Sequence, residues 1–151
     1  MTITEYPRDR LAAQPIGYWT GAANTIIVGG LRAALAEEAL TQPHWWTLNH
    51  VAGAPGTWTR PELTRRLVEF DTQATDFEAV YADLTARGWM TESDAALTLT
   101  PSGEAALARA TIRNRRVHDR MHEGIDTSEC IAALDVLRRM IDNLGGNSDL
   151  P

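Results

Sequence analysis

Apolar residues recur at three- and four-residue steps along most of this chain, so helices dominate the expected structure. Ile16, Trp19, Ala23, Ile26, Ile27, Gly30, Leu31, Ala34 and Leu35 form one such stripe, predicting a long helix over residues 16–39 after an irregular, proline-marked arm over residues 1–15. The Gly29-Gly30 pair lowers helix propensity there, and close approach of another helix would compensate. Thr41 as a cap and Pro43 in the first turn restart the chain as a helix from His44 to about Val51, which ends in the breaker run Gly53-Ala54-Pro55-Gly56. Thr59-Arg60-Pro61-Glu62 has the spacing of a capping box and predicts a short helix to about Val68. A further helix, about Gln73 to Arg87, carries Phe77, Val80, Tyr81 and Leu84 on one stripe and stops at Gly88.

The pattern then changes. Trp89-Met90 and Leu97-Thr98-Leu99 flank the polar turn Glu92-Ser93-Asp94 and read as a small hairpin. Thr100-Pro101 opens a fifth long helix to about His122, and a second capping box, Asp126-Thr127-Ser128-Glu129, starts a last helix that Gly145-Gly146 terminates. The expected fold is therefore mainly α with a small β-hairpin wing. A winged helix-turn-helix module over residues 40–100 is flanked by amphipathic helices over 16–39 and 101–146, within one domain over 16–151. The flanking helices are longer than the module needs, and packing against a second copy explains their apolar faces best, so a two-fold homodimer is expected.

Composition narrows the chemistry. A chain of 151 residues, 44% hydrophobic and 23% charged, has the size and balance of one folded domain. The N-terminal segment has no apolar core of a signal sequence and the most apolar run, Ile26 to Leu31, is cut by Arg32, which gives the expectation of a cytoplasmic protein with no membrane segment. The one cysteine, Cys130, rules out an internal disulfide and a thiolate metal site. All 14 basic residues are arginine and the net charge is −6, while residues 41–100 hold four arginines against eight carboxylates. Any nucleic-acid face must be local, because phosphate contacts require clustered positive charge. No Gly-rich phosphate loop follows a strand and no nucleophile elbow occurs, so neither a cofactor nor catalysis is expected.

Two stretches carry a family resemblance. Leu40-Thr41-Gln42-Pro43-His44-Trp45-Trp46-Thr47-Leu48 is similar to the entry of the MarR (multiple antibiotic resistance regulator) module. Leu84-Thr85-Ala86-Arg87-Gly88-Trp89-Met90, followed by Leu97-Thr98-Leu99-Thr100-Pro101-Ser102-Gly103, resembles that family's path through the wing into the next helix. The resemblance covers about residues 16–146 and implies a dimeric DNA-binding transcriptional regulator. Its major-groove recognition helix would lie within Thr72 to Asp83 and its wing, near Glu92 to Ala96, over a minor groove. Gln73, Thr72 and Thr75 are the candidate base contacts, and Arg60, Arg65, Arg66 and Arg87 the candidate phosphate contacts. The wing tip departs from the family pattern, which usually has an Asp-x-Arg or arginine-rich tip: here it is shortened to Thr91-Glu92-Ser93-Asp94-Ala95-Ala96, whose acids minor-groove phosphates would repel.

Tyr18, Trp19, His44, Trp45 and Trp46 cluster around the first helices as candidates for holding a small aromatic or phenolic ligand between dimer helices and module, against a packing role at the helix junction, which is favoured. His118 and His122 stand at i, i+4 but lack a third ligand, so no metal is expected and a solvated or interfacial pair is the favoured reading. Arg113, Arg115, Arg116 and Arg120 form a basic face on the fifth helix, read first as solvated. The alternative function is a repurposed winged helix that binds a small molecule or a protein, or acts as a catalyst, without reading DNA.

Overall fold

The computed structural model describes residues 3–149, so the first two residues of the predicted arm and the last two of the predicted domain lie outside it. The chain divides into two compact units, Met1–Val117 and His118–Pro151. The larger holds α1 (Arg8–Ala12), α2 (Ile16–Ala36), α3 (Gln42–Gly53), α4 (Arg60–Leu67) with a 3-10 turn at Val68–Phe70, α5 (Phe77–Ala86), β1 (Met90–Ser93), β2 (Ala96–Leu99) and most of α6 (Pro101–Met121). The smaller holds α7 (Thr127–Asn143). The predicted order of helices and hairpin is thus observed, with α1 as an added short helix in an arm expected to be irregular.

Local chemistry sets the boundaries. At the end of α2, Ala39 sits at φ 54° while the amides of Leu40 and Ala39 reach back to the carbonyls of Leu35 and Ala36. This is a Schellman closure with alanine where glycine is usual, and it brings Leu40 back onto Leu35; the helix therefore ends at Ala36 rather than at residue 39. α3 starts two residues before the expected His44, because Thr41 and His44 form the capping box themselves. α4 begins at the predicted box, with the Thr59 amide donating to Glu62 Oε2 at 3.1 Å.

The largest correction concerns α5, which begins at Phe77 and not at Gln73. The Asp71 carboxylate accepts from the amides of Gln73 (3.1 Å) and Thr75 (2.7 Å) and from the Thr75 hydroxyl (2.9 Å). Ala74 takes φ 52° to allow it. A side chain that satisfies these amides in a turn competes directly with helix formation. Asp76 then caps α5 by accepting from the Ala79 amide.

The core joins α2, α3, α4, α5, the wing and α6. Leu35, Leu40, Leu48, Val51, Leu63, Leu67, Tyr81, Leu84, Met90 and Leu97 are almost wholly withdrawn from solvent. Each such side chain contributes about 1.5–3 kcal/mol by burial. Trp45, Trp46, Trp58, Phe70 and Trp89 pack around this centre partly buried. The hairpin is antiparallel with Met90 opposite Leu99 and Ser93 opposite Ala96. The two-residue loop Asp94-Ala95 has both residues left-handed, at φ 50° and 64°. β2 is also held from behind, its Leu97 amide donating to the Trp58 carbonyl and its Leu97 carbonyl accepting from Gly56.

At the base of the wing the chain folds against α6. Thr100 accepts from the Gly103 amide with its hydroxyl oxygen, donates that hydroxyl to the Gly88 carbonyl at 2.6 Å, and donates its own amide to the Trp89 carbonyl at 3.0 Å. The Trp89 backbone lies so close to α6 that a Cβ on Gly103 would overlap the carbonyl oxygen and stand 2.8 Å from the carbonyl carbon. Farther along, a Cβ placed on Gly30 would meet Val117 of α6 at 3.4 Å, an ordinary contact that alanine could make, and one on Gly29 would meet open space, so the close helix approach expected at the glycine pair is not required by either residue. Arg113 bonds to Glu37 and Glu38, and Arg109 to Glu38, tying α6 to the end of α2.

A polar strut joins α3 to α5. The Thr41 amide donates to His44 Nδ1, so the proton sits on Nε2 and is donated to Asp83 Oδ2 at 2.9 Å. Asp83 also pairs with Arg87 at 2.6 Å. Burial holds the His44 pKa below its ordinary value despite the carboxylate, so a neutral imidazole faces an ionised aspartate. Burial raises the Asp83 carboxyl, but Arg87 and His44 together outweigh it and leave its pKa lowered.

In the smaller unit Asp126 and Glu129 cap α7 as predicted, and the amides of Gly145 and Gly146 close its end on Asp142 and Ile141. No α7 residue is buried: Ile131, Leu134, Met140 and Ile141 form an exposed apolar stripe.

Three outcomes are expected from these contacts. Gly103→Ala should lower the unfolding free energy by about 3 kcal/mol in chemical denaturation at fixed protein concentration, because the obstructing atoms are backbone and cannot turn aside. Ala95→Gly should raise it by about 1 kcal/mol, relieving a left-handed alanine. Because the unfolded chain takes the His44 proton before the folded chain does, stability from this site is complete above about pH 6.5 and is lost as pH falls through the lower folded value. His44→Gln should flatten that part of the pH dependence of denaturation midpoints, and an unchanged slope would contradict the strut.

Candidate DNA-binding face and ligand cleft

The inward residues of α5, Phe77, Val80, Tyr81 and Leu84, are buried, which turns Glu78, Ala79, Ala82, Thr85 and Ala86 outward. The Thr64 hydroxyl on α4 lies 3.0 Å from the Tyr81 hydroxyl and fixes the two helices of the module against each other. Burial raises the Tyr81 pKa, which keeps this phenol protonated.

The candidate DNA contacts are placed unequally. Arg65 is exposed on α4 and makes no ion pair among the described residues. Arg66 pairs with Glu69 at 2.8 Å and lies over the Phe70 ring at 4.8 Å. Arg60 donates to Glu92 of the wing at 2.6 Å and to Glu78 of α5 at 3.0 Å. These two carboxylates raise its pKa further, so it is a permanently charged clasp. Arg87 is occupied by Asp83, by the Ala39 carbonyl at 3.0 Å and by the Trp89 ring at 5.0 Å. Thr72 and Gln73 are exposed in the turn before α5, not on the helix, and the Thr75 hydroxyl is taken by Asp71.

The five candidate ligand residues do not converge on one site. Tyr18 and Trp19 stack edge to face on the exposed side of α2, with centroids 5.4 Å apart. Trp19 lines a cavity of about 250 Å³ with Tyr6, Arg10, Leu11 and Gln14. His44 is used by the strut and Trp45 packs on the core. Trp46 alone reaches a larger cleft of about 590 Å³, where it meets Asn24, Thr25 and Arg32 of α2, Gln42 of α3, and the segment Phe70–Gln73. The Trp46 and Phe70 rings stand 6.2 Å apart in its wall. Arg32 donates its Nε to Gln42 Oε1 at 2.9 Å and makes no ion pair among the described residues, leaving its terminal nitrogens available. Sequence reasoning missed Asn24, Thr25, Arg32 and Phe70; the one signal was Arg32 interrupting an apolar run.

The exposed rings of His118 and His122 stack 6.2 Å apart, and His122 Nδ1 donates to the His118 carbonyl. Among the described residues no group of three metal-ligating side chains is assembled. Nor, among them, is any helix long and apolar enough to cross a membrane.

No protein-family model matches the sequence, and no curated protein matches it. Solved structures do match. The MarR family protein Rv2887 of Mycobacterium tuberculosis, in complex with DNA, aligns over 88% of this chain and 99% of its own at 23% identity and a TM-score of 0.64. The transcriptional repressor CouR aligns over 85% of this chain and 93% of its own at 24% identity and a TM-score of 0.67; a second structure has it bound to p-coumaroyl-CoA. The PcaV transcriptional regulator of Streptomyces coelicolor aligns over 89% of this chain and all of its own at 19% identity and a TM-score of 0.71. The chain therefore has the winged-helix fold of the MarR family regulators.

Proposed function

We propose that this chain is a dimeric, MarR-like transcriptional regulator of the cytoplasm whose affinity for double-stranded DNA responds to a small aromatic ligand, and that it acts by binding rather than by catalysis. The observation that carries the reading is α5 itself: a helix with a free outward face, seated on a rigid core between α4 and a two-stranded wing, in a fold shared with a protein solved on DNA. Arg65 is an exposed cation on α4, the helix that packs against α5 through Thr64 and Tyr81, and Thr72 and Gln73 are open to solvent in the turn that leads into α5. Apolar stripes on α7 and on the start of α2, where Ile16 and Trp19 are exposed, are surfaces that a second copy would cover.

The ligand cleft suits regulation because it is built from α2 and α3 on one side and from the Asp71 turn that leads into α5 on the other. A ligand held by Arg32 and the Trp46–Phe70 wall acts through its different affinity for DNA-competent and incompetent placements of α5. Related structures hold salicylic acid and p-aminosalicylic acid, which makes planar aromatic acids the ligand class to try first.

A second reading, in which the winged helix has lost DNA and binds only a small molecule or protein, draws on the carboxylates that cover Arg60 and Arg66 and on the acidic wing tip. The two separate on salt dependence. For the regulator, the logarithm of affinity for a duplex selected from a random pool falls linearly with the logarithm of salt concentration. Arg65→Ala should weaken binding to every sequence and reduce that slope by about 0.9 for each phosphate it no longer neutralises; undetectable binding at low salt would favour the second reading. Titration with salicylate should quench tryptophan fluorescence, and Arg32→Ala should weaken that titration about tenfold, as removal of one charge-assisted hydrogen-bond partner does. Equal affinities for wild type and variant would remove Arg32 from the site.

A further inference from the structure

Outward-facing α5 offers very little with which to read a base. Ala79, Ala82 and Ala86 carry only methyl groups, the Thr85 hydroxyl is donated to the Tyr81 carbonyl, and Asp83 is turned into the strut with His44 and Arg87. The remaining side chain is Glu78, in the first turn, where recognition helices meet base edges. Its side chain is 64% exposed, and one of its oxygens accepts from Arg60 at 3.0 Å. Arg60 is itself fixed from the far side by Glu92 of the wing at 2.6 Å, with its guanidinium 6.0 Å from the centre of the Tyr81 ring. The clasp orients the Glu78 carboxylate and offsets its charge, lowering the cost of bringing an acid into a groove lined by phosphates.

Resting on the DNA-binding reading above, we propose that Glu78 is the specificity-determining residue of α5, reading the amino group of a cytosine in the major groove, with Arg60 as its positioning residue. A carboxylate only accepts hydrogen bonds. In the major groove guanine presents two acceptors and thymine an acceptor and a methyl, which leaves the amino groups of cytosine and adenine. Adenine places the N7 acceptor beside its amino group, opposite the second carboxylate oxygen, whereas cytosine has no acceptor at that edge. Ala79 and Ala82, next to Glu78 on the same face, are matched by shape to thymine methyl groups.

The test is enrichment of random-sequence duplexes by the full chain, with wild type, Glu78→Gln, Glu78→Ala and Arg60→Met compared after thermal melting has shown each to be folded. Wild type should enrich a motif with one cytosine in each half-site whose replacement lowers affinity about tenfold. Glu78→Gln should move the preference at that position to adenine, Glu78→Ala should erase it, and Arg60→Met should blunt it, with the remaining positions unchanged in each case. Enrichment of the wild-type motif by the Glu78 variants, cytosine included, would overturn the proposal while leaving DNA binding intact. If wild type enriches no motif at all, the DNA-binding reading fails and the proposal fails with it.

Discussion

The arrangement depends on one backbone contact, the Trp89 carbonyl resting on α6 at Gly103. The chain arrives there from Gly88, whose φ of 71° lets α5 end and reverse, and it returns through Thr100, whose hydroxyl and amide bind the Gly88 and Trp89 carbonyls. One residue's worth of space, left by a missing Cβ, joins the end of α5, both strands of the wing and the start of α6. Met90, Leu97 and Leu99 then enter the same core as Leu63, Leu67 and Leu84. Which side of α5 faces outward follows from the burial of Phe77, Val80, Tyr81 and Leu84, and the junction holds the end of that helix against the wing and α6.

Charge is arranged with a similar economy. Among the arginines of the module, Arg60 and Arg87 use their hydrogen bonds inside the fold, linking α4 to α5 and the wing, and α5 to the end of α2. Single exposed ion pairs contribute little, typically below about 1 kcal/mol. Their value here is geometric: each holds a carboxylate in one place, Glu78 on the outward face and Asp83 on the inward side. A net negative module thereby presents a local cation at Arg65, an oriented acid at Glu78 and a turn of exposed polar residues at Thr72 and Gln73. Under the proposed function, such a surface would meet DNA through placement more than through bulk attraction.

Much of this was readable from the sequence because it is local chemistry. The boxes at Thr59 and Asp126 and the stop at Gly88 involve residues within four positions of one another, and the stretch from Leu97 to Gly103 that carries the family resemblance proved to be the wing junction. What escaped were competitions and juxtapositions. Ala39 closes α2 in a conformation that glycine usually marks, and Asp71 delays α5 by capturing amides that a periodic pattern assigns to the helix. Tyr18, Trp19, His44, Trp45 and Trp46 are close in sequence order but leave their helices on different faces, so only Trp46 reaches the large cleft. Arg32 shares that cleft through a contact between α2 and α3, its Nε donating to Gln42, which no spacing rule contains.

Whether α5 and its neighbours form a DNA-binding face can be decided by amide chemical-shift mapping of the full chain during titration with duplex DNA. The largest shifts should fall on α4 near Arg65, on the Asp71–Asp76 turn, on the first two turns of α5 and on the wing tip at Glu92–Ala95. Shifts confined to α7 and the start of α2, or none at duplex concentrations that saturate a MarR protein of known operator, would refute that face.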